Sequence, residues 1–224
     1  MSSYLPDQIN DIRWWTHRIQ GINHMTQTDA AAFIDRHAAY YALCQKHLYA
    51  NEDPYHLTYA TLPTFLFMTY LPTQIDLASW LYDTYPIRLN QLDTVLRQEV
   101  ITKGYVPAMK WILSRGILPP TDSRIASYLS SACFYGHAEM VSTLYEVYDQ
   151  TRQARHNHAH TEYEWYRLAA SGGHPEIIRW LHTKGVPIED RTIEYLIASV
   201  RHRTDRTEMV AFLTEWKTSL RSTT

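Results

Sequence analysis

The densest chemistry in the chain lies between residues 151 and 161, where Arg152, Arg155, His156, His158 and His160 fall within nine positions. Alternating histidines can hold a transition metal, because neutral imidazole is a good ligand. An extended loop puts alternate side chains on one face without closing a tetrahedral set. The segment therefore reads as a solvated insertion, with His156, His158 and His160 as weak metal candidates and no resident metal or cofactor expected. His137 and His174 have no Ser or Cys beside them in a nucleophile–base arrangement. The two cysteines, Cys44 and Cys133, are too few for a zinc module or a disulfide framework, and Cys133 sits where a small core residue fits. No phosphate loop, dinucleotide fingerprint or nucleophile motif occurs, and no catalytic residue is assigned.

Composition narrows the class of partner. Lys and Arg number 21 against 23 Asp and Glu, a net charge of −2, which gives no electrostatic reason to expect nucleic acid or an acidic membrane. The N-terminus reads as no signal peptide. Thr64–Leu71, the longest apolar run, is far short of the roughly 20 residues that span a bilayer. A monomeric, cytoplasmic, reduced protein is expected, in its own cell or in a host cell. Low Gly and Pro counts, 7 and 10 in 224 residues, argue against many short strands joined by tight turns.

A repeating phrase positions these residues. After Gly173, a Glu stands at +3, apolar residues at +4 and +5 (Ile177, Ile178), an aromatic at +7 (Trp180) and Leu181 at +8. Gly136 opens the same phrase with Glu139, Met140, Val141 and Leu144. Looser copies start at Asp205, Gly104 and Thr73. The anchors 73, 104, 136, 173 and 205 are spaced 31, 32, 37 and 32, and the long interval contains the His-rich insertion. Each unit reads as two short helices: Leu92–Ile101, Ile125–Phe134, Trp165–Ala170 and Ile193–Val200 before their anchors, a second helix after each anchor. The second helix often carries an acidic residue in its first turn, as at Glu139 and Glu176, and Gly116 and Gly185 stop two of these helices. Neither helix can bury its apolar stripe alone, so the units must stack.

Leu168-Ala-Ala-Ser-Gly-Gly-His-Pro-Glu-Ile-Ile-Arg-Trp-Leu-His-Thr-Lys-Gly-Val resembles an ankyrin repeat, and Cys133-Phe-Tyr-Gly-His-Ala-Glu-Met-Val is similar. The Trp-Leu-His ending resembles the variant found in protist, oomycete and giant-virus ankyrin proteins. The resemblance covers roughly residues 60–217. It implies an all-α, ankyrin-like helical repeat solenoid of about five units over 59–224. Two departures stand out. The family's Thr-Pro-Leu-His opening is replaced by Glu164-Trp-Tyr-Arg167 and Ser127-Tyr-Leu-Ser130, and prolines in the connections argue that its β-hairpins are vestigial.

Residues 1–58 fall outside the frame. Gln8–Gln20 and Asp29–Tyr49, headed by Thr28 or Asp29, read as helices of an N-terminal cap, or as eroded repeats. In ankyrin arrays the two positions before each anchor line the concave face. Here these include Thr102 and Lys103, Phe134 and Tyr135, Ser171, and Arg203 and Thr204. The resemblance implies a non-catalytic module that binds a partner protein through that face; for Phe134 the alternative is a place in the core between units. Two other functions stay open. Leu5-Pro-Asp-Gln-Ile9 faintly resembles the opening of an F-box, which implies a substrate adaptor. A helical enzyme or regulatory subunit would carry its chemistry in residues 1–60.

Overall fold

The computed structural model describes residues 24–49, 61–89, 92–151, 158–202 and 204–221, with the side chains at 39–49, 158–161, 204 and 221 outside that description. Every regular element among the described residues is helical, and no strand occurs there. The expected all-α class holds. The chain divides by packing into two compact units, Met1–Val95 and Leu96–Thr224. This division is separate from the change of sequence phase at residue 58.

In the first unit, α1 (Gln27–Tyr49) starts from a reciprocal cap. Thr26 Oγ1 accepts from the Asp29 amide at 3.1 Å while the Asp29 carboxylate accepts from the Thr26 hydroxyl at 2.6 Å. The cap is Thr26, two or three residues before Thr28 or Asp29, where the sequence places the head of this helix, because a hydroxyl at N-cap and a carboxylate at N3 satisfy each other. The apolar run becomes α2 (Leu62–Tyr70), with Thr61 as N-cap and Pro63 in the first turn, where a missing N–H costs nothing. Leu62, Phe65, Leu66, Phe67, Met68 and Tyr70 are all buried, between α1 and α3 (Ile75–Thr84) among other neighbours. The segment is a core helix, and no described helix is long and apolar enough to cross a membrane. A short α4 (Leu92–Val95) ends this unit.

The second unit begins with a π-helical turn, Leu96–Ile101, in which the Thr102 hydroxyl donates to the Arg97 carbonyl five residues back at 2.6 Å. Then follow α5 (Val106–Ser114), α6 (Arg124–Tyr135), α7 (Ala138–Gln150), α8 (His158–Gly172), α9 (Pro175–Thr183), α10 (Asp190–Val200), a 3₁₀ turn (Thr204–Arg206) and α11 (Thr207–Arg221). The π turn, α6, α8 and α10 pack side by side in that order, and α5, α7 and α9 form a second row. Within pairs, the π turn packs on α5, α6 on α7, α8 on α9 and α10 on α11.

The helices after the anchors start at Ile75, Val106, Ala138, Pro175 and Thr207, each two residues beyond its anchor. The +4, +5 and +8 stripes are buried throughout, with Val210 alone half-buried. The +7 aromatics Trp80, Trp111, Trp180 and Phe212 are half-buried rather than sealed. Trp180 meets Tyr145 of α7 edge-on at 5.3 Å, and the Arg179 guanidinium lies 4.4 Å from the Phe212 ring centre.

The His-rich segment departs from expectation. Its second half is helical: α8 opens at His158, seven residues before the expected start at Trp165, so His158 and His160 belong to its first turns rather than to a loop. The same helix shows what replaces the missing tight-turn motif. Trp165 and Tyr166 are wholly buried. The indole N–H donates to the Ala126 carbonyl at 3.4 Å and the phenol to the Val186 carbonyl at 2.9 Å. Tyr128 and Leu129 take the equivalent buried places in α6.

Candidate interaction face

Imidazole at position +1 of the phrase is explained by what lies opposite. His137 Nε2 donates to the Thr102 carbonyl at 2.8 Å and His174 Nε2 to the Phe134 carbonyl at 3.1 Å. Arg206, at the same phase, donates from Nε to the Ser171 carbonyl at 2.9 Å. A carbonyl only accepts, so Nε2 is the donor in both of these bonds. Three planar donors thus form rungs between successive helix pairs, each ending on the carbonyl two residues before the preceding anchor. At 104 and 136 the anchor must be glycine for two reasons. Gly136 has φ +82°, and a Cβ there would stand 2.2 Å from the His174 ring. Gly104 faces the His137 ring in the same way, at 2.7 Å.

These rungs locate the residues expected to bind a partner. Thr102 is half-buried and gives its carbonyl to the first rung. Lys103 is exposed and ion-paired with Glu99, a contact that raises the ammonium above its ordinary range. Phe134 and Tyr135 are 38% and 43% exposed, their rings edge-to-face at 5.2 Å, and Tyr135 stacks toward His137 at 6.4 Å. Ser171 is half-buried and gives its carbonyl to the last rung. Thr204 lies in the 3₁₀ turn, with its side chain outside the described residues. Arg203 and His156 lie outside them altogether, as do Leu5–Ile9 and helix Gln8–Gln20; for His158 and His160 the backbone alone is described.

The side-by-side row α6, α8, α10 presents further groups that the repeat phase does not single out. Ser123, Ser127 and Ser131 recur every four residues along α6 and line a shallow groove against Glu164 and Leu168 of α8. Arg97 donates to the Ser127 hydroxyl at 2.9 Å and lies over the Tyr128 ring. Arg167 grips Glu164 through two nitrogens, one at 2.7 Å, and this holds the Glu164 carboxyl below its ordinary range. A second concavity, between α8 and α10, is lined by Tyr163, Thr192, Arg191 and Tyr195. The Arg191 guanidinium donates to the Tyr195 hydroxyl at 3.1 Å, which raises it further above its usual range. Tyr195 is 53% exposed and, with Phe134 and Tyr135, completes the exposed large hydrophobic side chains among the described residues. All three stand on this one row of helices. Sequence periodicity carries a signal for Tyr195, which falls between buried Ile193 and Leu196.

Burial pushes the Cys133 thiol up, so it stays protonated and serves packing. No cluster of three His, Cys, Asp or Glu side chains able to hold a metal occurs among the described residues. The face can do hydrogen bonding and aromatic contact. No protein-family profile, curated protein or solved structure matches the chain.

Proposed function

We propose that the chain is an ankyrin-like stack of helix pairs whose side-by-side row α6, α8, α10, with the adjoining turns, recognises a partner protein without catalysis. One observation carries the reading: Phe134, Tyr135 and Tyr195 are the exposed large hydrophobic side chains of the described residues, and all lie on that row. They are set among serines and hydrogen-bonded arginines. Tyrosine offers large contact area at little entropic cost and serine offers adaptable hydrogen bonds, the composition that antibody paratopes use. The rungs and the constant two-residue lag between anchor and helix support the repeat architecture. A cytoplasmic site of action and a monomeric state accompany this reading.

The test is purification of the tagged chain from its native cells, followed by binding measurements on the recovered partner. Tyr135→Ala and Tyr195→Ala are expected to weaken binding by about 1–4 kcal/mol each while leaving the melting temperature nearly unchanged. A partner whose affinity is indifferent to both variants would rule this face out.

A further inference from the structure

We draw no further inference here: the strongest candidate, the shallow hydroxyl-lined groove between α6 and α8 around Ser127, Ser131 and Glu164, belongs to the face already described, and nothing in the structure shows what covers it.

Discussion

At Gly136 two separate demands meet, and other glycines let them be told apart. A side chain there suffers the left-handed backbone at φ +82° and also collides with the His174 ring. Gly116 has φ +67° with nothing within 4 Å of an added Cβ. Gly116→Ala is therefore expected to cost only the backbone term, about 1–2 kcal/mol. Gly136→Ala should cost clearly more, because the rung must also be displaced, which forfeits a hydrogen bond of about 1 kcal/mol. Equal denaturation midpoints for the two variants would show that the rung contributes nothing. Glu164 gives a pH test at the same scale. Its carboxyl is lowered by Arg167, so its contribution is complete above the ordinary glutamate range near about 4.3 and is lost as pH falls through the lowered folded value. Both side chains are about two-fifths exposed, so the effect is small. Glu164→Gln should melt slightly below the parent at pH 7, and the gap should close in acid. A gap that widens on acidification would contradict the sign.

Among the elements, the second helices were legible because one face repeats at +4, +5 and +8. Leu81, Ile112, Leu144, Leu181 and Leu213 all occupy +8 and all are buried. The start of α8 was not legible, because His158-Ala-His-Thr-Glu is polar and without period, and its Glu162 is nonetheless buried at 2% exposure. The rungs were equally hidden. Local spacing identifies His137 and His174 as phase-equivalent, but the carbonyls of Thr102 and Phe134 come opposite them only once the pairs are packed. The capping box at Thr26 is readable from Thr-x-x-Asp, although Thr28 and Asp29 are themselves residues that favour a helix N-terminus. Burial also separates two tryptophans that stand at different phases of the repeat. Trp165 is sealed between Tyr145 and Tyr148, its ring 4.9 Å from that of Tyr148, whereas Trp180 is half-buried. Trp165→Ala is expected to cost about 3–5 kcal/mol and Trp180→Ala visibly less, read as urea midpoints at constant m-value. The reverse order would place the inter-pair core at the wrong tryptophan.

For the whole molecule, the relevant fact is that each unit holds its own core. Leu66, Phe67, Leu71 and Leu81 are fully buried in the first, and Leu129, Leu144, Ile178 and Leu196 in the second. Because neighbouring pairs supply one another's contacts, the second unit should stand without the first. A fragment starting at Leu92, which keeps α4 and the π turn in one run, is expected to be helical by circular dichroism and to melt in a cooperative transition. A fragment with helical content but no transition would mean that its packing depends on residues before Leu92.

The rungs have a consequence for what this surface is free to become. They end on main-chain oxygens at positions 102, 134 and 171, so no particular side chain is required there to keep the pairs in register. The partner slots, by contrast, are pinned: glycine at 104 and 136, a flat donor at 137, 174 and 206. A change of side chain at 134 thus leaves the rung acceptor in place, whereas Thr102 also ties the π turn through its hydroxyl. A library randomised at position 134 should yield mostly folded members, because the acceptor of its rung stays in place whatever the side chain.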